Sequence, residues 1–186
     1  MNYFNQQRLP TPSFTQPDTY RLSRLPVNQA STLIPDAYTA QEFFALEQEK
    51  VFAKGWVAVG CLPQVSKPGD ILVTEVAGRS ILVVRDKTGK LRAFYNVCRH
   101  RGSKLLENSC NIKSLRCPYH AWVYGLDGLC LGTSMFQNEK EVDTVPSNVA
   151  ETDLSATALF DKQNYGLLQL SVQTWGFLVF VNLSAQ

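Results

Sequence analysis

Cys98-Arg99-His100-Arg101-Gly102, followed after a spacer by Cys117-Pro118-Tyr119-His120, is the stretch on which the reading of this chain turns. As spacing it is C-x-H, sixteen residues, then C-x2-H. The chain holds only two histidines in 186 residues, and both fall inside this pattern beside a cysteine. Thiolate and imidazole are the soft and borderline donors that transition metals prefer. Four such groups on two short segments therefore predict a metal site. Each segment follows a predicted strand, which places the donors on two loops that face each other.

Upstream of Cys98 the chain reads as short β segments separated by turn residues. Residues 56–60 form one strand. Residues 70–76 and 80–85 flank the Ala77-Gly78 turn as a hairpin, and Asp86-Lys87-Thr88-Gly89 turns into a strand at 91–95. Downstream, residues 122–124 and 128–131 surround Asp127-Gly128, another hairpin signal. Residues 132–158 are polar, acidic and without period, and read as a long loop. Residues 167–174 and 177–182 supply two closing strands.

The expectation is a mainly β protein, a small antiparallel β sandwich or barrel, with one N-terminal helix and two metal-binding loops. The helix is read from Thr39-x-x-Glu42 as a capping box, runs over 41–53 and stops at Gly55. Phe43, Phe44, Leu46, Val51 and Phe52 are expected on its buried side. Residues 1–35, uneven and rich in Pro, Gln, Asn and Thr, read as a polar N-terminal arm.

Composition narrows the function classes. The chain is 45% hydrophobic and 18% charged with no low-complexity tract, a globular balance. A net charge of +2 is too mild for a nucleic-acid surface. The longest near-apolar runs, 71–73, 81–84 and 176–181, fall far short of the roughly 18 residues a membrane span needs. The first 26 residues lack the apolar segment of a signal peptide. They are poor in acids and carry Arg8, Arg21 and Arg24, as transit peptides do, but Pro10, Pro12, Pro17 and Pro26 would break the required helix. The five cysteines, Cys61, Cys98, Cys110, Cys117 and Cys130, are odd in number and point to metal or free-thiol use instead of a disulfide scaffold. A cytoplasmic protein with no nucleic-acid and no membrane partner is expected.

Two chemistries suit the donor set. A binuclear iron–sulfur centre would take both cysteines on one iron and both histidines on the other; neutral imidazoles in place of two thiolates raise the reduction potential. A structural zinc ion uses the same four ligands. Zinc fingers pair like with like, C-x2-4-C and then H-x3-5-H, whereas here each loop brings one cysteine and one histidine. That favours iron and leaves zinc as the competitor.

Cys98-x-His100-Arg101-Gly102 with Cys117-Pro118-Tyr119-His120-x-Trp122 resembles the Rieske signature of ring-hydroxylating oxygenase large subunits. Trp122-Val123-Tyr124-Gly125-Leu126-Asp127-Gly128 is similar to the choline and glycine-betaine monooxygenase branch of that family. The resemblance covers about residues 36–183, takes in Trp56, Phe94-Tyr95-Asn96-Val97 and Trp175-Gly176-Phe177, and is weak over 132–160. It implies a Rieske-type β fold and a [2Fe–2S] cluster, with Cys98 and Cys117 on one iron and His100 and His120 on the other. It implies that the Tyr124 hydroxyl reaches a cluster sulfur, with a plain core aromatic as the alternative. Trp122 would wall the cluster from solvent. Arg101 would hold its loop, face a redox partner or simply be solvated.

The chain departs from the pattern in places. The family usually has Gly after the last histidine, where this chain has Ala121, tolerable if the backbone φ there is negative. Respiratory-chain relatives carry a disulfide between the loops at the slots of Ser103 and Tyr119, and a sulfur-bonding serine at the slot of Trp122. Fewer hydrogen bonds to sulfur stabilise the reduced cluster less, so a potential near the low end of the Rieske range, roughly −150 mV, is expected.

Oxygenases of the family add a C-terminal catalytic domain whose mononuclear iron is held by two histidines and a carboxylate. Both histidines here are spent on the cluster, so no catalytic residue is assigned and that domain is expected to be absent. The reading is an arm at 1–35 and a Rieske domain at 36–186, acting as the electron-transfer module of an oxygenase alpha subunit. Its partners would be a reductase or ferredoxin and an oxygenase catalytic domain, in a homotrimer by family analogy. A stand-alone Rieske ferredoxin-like carrier is the alternative, and a zinc-stabilised interaction module the third.

Overall fold

The computed structural model describes residues 13–133 and 161–184. Nearly all of the loop expected at 132–158 lies outside the described residues. The chain divides into two compact units, Met1–Val51 and Phe52–Gln186.

In the first unit, 3-10 turns at Pro17–Tyr20 and Leu22–Arg24 precede two short helices, α1 at Asp36–Thr39 and α2 at Gln41–Glu47. The single helix capped by Thr39 does not form. Pro35 starts α1, which takes Thr39 into its last turn, and the Thr39 hydroxyl donates back to the Pro35 carbonyl at 3.5 Å. A side chain bonded to the carbonyl four residues earlier cannot also cap the next helix. Ala40, in extended conformation, therefore caps α2 without a side-chain bond. After α2 the backbone widens into a π turn at Gln48–Phe52. That widening breaks the 3.6-residue period, and Phe44, Val51 and Phe52 are exposed, contrary to expectation. Phe43 is half-buried and meets Phe14 edge to face at 5.2 Å.

The described part of the second unit is mainly β, with 3-10 turns at Leu62–Val65 and Lys162–Tyr165. Its strands are β1 Trp56–Cys61, β2 Asp70–Val76, β3 Arg79–Arg85, β4 Leu91–Tyr95, β5 Cys110–Asn111, β6 Leu115–Arg116, β7 Val123–Tyr124, β8 Cys130–Gly132, β9 Gln169–Trp175 and β10 Leu178–Asn182. Seven pair in the order β1-β10-β9-β4-β3-β2-β5, and β6-β7-β8 form a second, three-stranded sheet. Every pairing is antiparallel. The mainly β, antiparallel expectation holds, and the hairpin at Ala77-Gly78 closes with both central residues at positive φ, 50° and 70°. That backbone matches the twist of the strands it joins.

Strand β3 explains why the sheet has two buried faces. Ile81, Leu82, Val83 and Val84 are all fully buried, although alternate residues point to opposite sides. Ile81 and Val83 join Leu72, Val76, Ala93, Val179 and Val181 in one core. Leu82 and Val84 join Ile71, Phe94, Leu115, Trp122 and Tyr124 in the other. The second core lies between the large sheet and the small one, and it contains Cys98 and Cys117. Among the described residues, no helix is long and apolar enough to cross a membrane.

Candidate metal centre

The four donors sit on two loops with the same backbone. In the first, the amide of Gly102 donates to the Cys98 carbonyl at 3.0 Å and the Cys98 amide donates to the Ser103 carbonyl at 2.8 Å. In the second, the amide of Ala121 donates to the Cys117 carbonyl at 3.0 Å and the Cys117 amide donates to the Trp122 carbonyl at 2.8 Å. Both loops are five-residue turns that close on a residue with positive φ, Gly102 at 70° and Ala121 at 57°. The condition under which Ala121 would be tolerated freely, a negative φ, is not met: the turn closes through the left-handed region, so Ala121 carries the strain of an L side chain there.

The loops bring the predicted residues together. Cys98 and Cys117 are buried at the base, and each thiol lies within interaction distance of the other. The His100 and His120 rings meet above them, their centroids 4.8 Å apart. Trp122 is buried and stacks on His100 at 4.8 Å with only 6° between the rings, and Tyr165 closes its edge at 5.6 Å. Tyr119 covers His120 from outside, with 3.7 Å between ring centroids, and is 61% exposed.

Tyr124 is fully buried and reaches Cys98 Sγ at 3.2 Å. Its oxygen also accepts the Arg99 amide at 3.0 Å. With that lone pair taken by an N–H, the phenolic proton is the one left to point at the sulfur. Core aromatic and sulfur partner are therefore the same role. Arg101 is exposed, and Arg99 is half-buried with a buried Nε that lacks a hydrogen-bond partner.

Electrostatics differ between the two thiols. Burial pushes the Cys98 thiol up, against the bonds from Tyr124 and the His100 amide. At Cys117 burial works in the same direction, but the His120 and Tyr119 amides outweigh it and bring the thiol below its ordinary value. Backbone N–H groups aimed at sulfur favour the thiolate, the form that binds metal. Burial, the neighbouring His120 ring and the Arg101 charge lower His100, so its imidazole is neutral at pH 7, as a ligand must be. Cys110 and Cys130 are both pushed up by burial and belong to no disulfide.

The donor geometry tests which metal group fits. His100 Nδ1 is buried and has no hydrogen-bond partner in the protein, which is costly for an imidazole nitrogen unless something else takes it. Among the described residues, no three Cys, His, Asp or Glu side chains converge on a single ion position. A Cys2His2 zinc ion requires four donors around one point. A pair of thiols below a pair of imidazoles fits a two-iron cluster, which needs two donors per metal.

One residue that supports the site went without a role in the sequence. Asn96 is buried, and its Oδ1 accepts the amides of Leu105 and Leu106 at 3.1 Å. Its Nδ2 donates to the Leu106 carbonyl at 2.7 Å and the Ser80 hydroxyl at 3.1 Å. All four hydrogen bonds of the amide are satisfied, and they tie the far side of the first loop to β3. The available signal was an amide side chain inside an apolar strand end, Phe94-Tyr95-Asn96-Val97.

The chain is similar in sequence and fold to known proteins. The chain is 35% identical over 147 residues to the carnitine monooxygenase oxygenase subunit of Acinetobacter pittii (strain PHEA-2), covering 78% of this chain and 35% of that protein. It is 32% identical over 174 residues to the chloroplastic choline monooxygenase of Spinacia oleracea, covering 93% and 36%. It superimposes with a TM-score of 0.63 and 35% identity on a quaternary ammonium Rieske monooxygenase whose structure bears on carnitine oxidation by gut microbiota and inter-subunit electron transfer, covering 80% of this chain and 36% of that one. The chain thus spans about a third of the length of these relatives. Residues 55–147, half of the sequence, match the Rieske [2Fe-2S] domain, and the chain belongs to that family.

Proposed function

We propose that Cys98 and Cys117 hold one iron and His100 and His120 the other of a Rieske-type [2Fe–2S] cluster, and that the chain is the electron-transfer module of a Rieske oxygenase subunit. The observation that carries the assignment is the orphaned, buried His100 Nδ1 on a loop whose twin presents His120. When bound, the cluster supplies a one-electron couple.

The protein's own groups do the rest. The Tyr119 and His120 amides stabilise sulfur charge at Cys117, and the Tyr124 hydroxyl does so at Cys98. Trp122 and Tyr165 exclude water from the buried side of His100. The half-buried imidazoles leave an edge open toward solvent, and that edge is where electrons enter and leave. The Tyr124 hydroxyl and the backbone amides that touch the two sulfurs set the potential, and roughly −150 mV is the value proposed.

The mononuclear iron site that consumes these electrons would be built from residues outside these 186, since His100 and His120 are the only histidines in the sequence. The donor would be a reductase or ferredoxin, and the receiving iron would lie in a neighbouring subunit of a homotrimer, in line with the inter-subunit electron transfer described for the quaternary ammonium Rieske monooxygenase above. No disulfide joins the five cysteines, which suits the cytoplasm. Spectroscopy of the purified protein tests the reading. A red-brown protein with two irons and two sulfides, whose Rieske spectrum is lost in Cys98→Ser and His120→Ala variants, is expected. A colourless protein with one zinc overturns it.

A further inference from the structure

The two cluster loops share one backbone, so Ser103 and Trp122 occupy the same place in twin turns. The Cys98 amide donates to the Ser103 carbonyl at 2.8 Å, and the Cys117 amide donates to the Trp122 carbonyl at 2.8 Å. Each of these residues closes its turn directly after a left-handed one, Gly102 or Ala121. At the second loop the closing side chain crosses to the first, where the Trp122 ring stacks on His100. The closing side chain of the first loop crosses the other way.

Ser103 is half-buried, and its hydroxyl lies within hydrogen-bond reach of the Cys117 thiol. The competing acceptor is the carbonyl of its own neighbour, Lys104, at 3.5 Å. That is beyond the roughly 2.5–3.0 Å usual for a hydroxyl donor to oxygen. A metal-bound thiolate has no proton to give, so between Ser103 and Cys117 the hydroxyl is the donor. Bonds to an ionised acceptor are the stronger kind. On the other sulfur, the Tyr124 hydroxyl reaches Cys98 at 3.2 Å. Each thiolate is then met by one hydroxyl: Cys98 from the strand after the second loop, Cys117 from the end of the first.

Resting on the cluster assignment above, we propose that Ser103 is a positioning residue for electron transfer, whose hydroxyl donates to Cys117 Sγ across the two loops and holds the reduction potential up. The reduced cluster is the more negative form, so a donor on a ligand sulfur favours it over the oxidised one. The same bond ties one loop to the other where no disulfide joins them.

The test compares the cluster-loaded parent chain with Ser103→Ala and Ser103→Thr by protein-film voltammetry and by resonance Raman in light and heavy water. At a fixed poise, Ser103→Ala is expected to shift the reduced-to-oxidised ratio about fivefold toward the oxidised form. At 59 mV per tenfold for one electron, that is a drop of about 40 mV. Ser103→Thr keeps the hydroxyl and should recover most of it. The deuterium shift of the iron–thiolate stretching bands should shrink in Ser103→Ala and return in Ser103→Thr, a signature that loop packing alone does not move.

A parent-like potential in Ser103→Ala overturns the proposal, and so does an equal drop in both variants. If Ser103→Ala takes up no cluster, Ser103→Cys is read in its place. Its thiol is a weaker donor of similar size, and a smaller drop of the same sign is expected; a parent-like potential there overturns the proposal. A parent chain without a Rieske spectrum fails at the ligand assignment, before any potential is read, and the role of Ser103 falls with it. A loaded parent whose variants keep its potential refutes the role of Ser103 alone.

Discussion

Ala121 stands in the second cluster loop where Gly102 stands in the first. Each donates its amide to the carbonyl of a cysteine four residues earlier, at 3.0 Å, and each does so with positive φ. The turn is therefore one structure used twice, and only one copy has the residue that suits it. The two histidines occupy different positions in the twin turns, two residues after Cys98 and three after Cys117, yet their rings meet.

That relationship predicts opposite effects for two substitutions. Ala121→Gly relieves a left-handed L residue, a strain of roughly 1–2 kcal/mol, partly offset by glycine's greater freedom in the unfolded chain. A net gain of about 1 kcal/mol is expected. Gly102→Ala should lose a similar amount, because a Cβ there meets nothing within 4 Å and only the dihedral cost remains. Denaturant titrations of the two variants, followed by the loss of cluster absorbance, decide the signs.

Tyr124→Phe removes one hydroxyl from Cys98 Sγ and leaves the Arg99 amide without its acceptor. Hydrogen bonds to sulfur favour the reduced, more negative cluster. The potential should drop by about 40 mV, equivalent to about 1 kcal/mol on a one-electron couple. Protein-film voltammetry on both proteins checks this; an unchanged or raised potential contradicts the donor role of the phenol.

Asp86, after β3, is a buried carboxylate that accepts from the Thr88 amide and hydroxyl, the Lys90 amide and Arg92 Nε, all within 2.7–2.9 Å. Burial alone would raise its pKa, but those four bonds outweigh it and hold the carboxyl well below the ordinary value of 3.8. Because the folded-state value is depressed, its stabilisation is complete above pH 4 and is lost as pH falls from there toward the folded value. Asp86→Ala leaves Arg92 unpaired and three donors unsatisfied, and should cost about 3–5 kcal/mol at pH 7. The gap between variant and parent in urea melts should shrink toward pH 2.

Gly128 closes the turn between β7 and β8 at φ 88°, and a Cβ there would run into the Phe94 ring. Its carbonyl also accepts the Leu167 amide at 2.8 Å, which fixes the start of the closing hairpin. Gly128→Ala combines overpacking with left-handed strain and should destabilise by about 2–4 kcal/mol. Gly78→Ala, where a Cβ meets nothing, should cost less than half of that in the same thermal melts.

The sequence alone made legible the proposed donor set, eight of the ten strands and most turns between them; the two-residue strands β5 and β6 are too short to leave a pattern. Two histidines beside two cysteines leave few choices of chemistry, and strands with an alternating or wholly apolar pattern, such as 81–84, announce their own burial. Turn residues such as Ala77-Gly78 and Asp127-Gly128 act locally and are read locally. The helical lead was less legible, because Pro35 and the π turn at Gln48–Phe52 override a capping box and a period that each look sound by themselves.

Only the tertiary structure decided the rest. That Ala121 is left-handed follows from closing a turn on Cys117, a constraint no side chain at 121 advertises. That Tyr124 bonds Cys98 depends on β7 packing over the first loop, 26 residues away in sequence. That the Cys98 and Cys117 side chains meet in one core, with the His100 and His120 rings 4.8 Å apart, is a relation between loops brought together by the packing beneath them. Residue identity sets what each group can do; the packing of two sheets sets which groups meet.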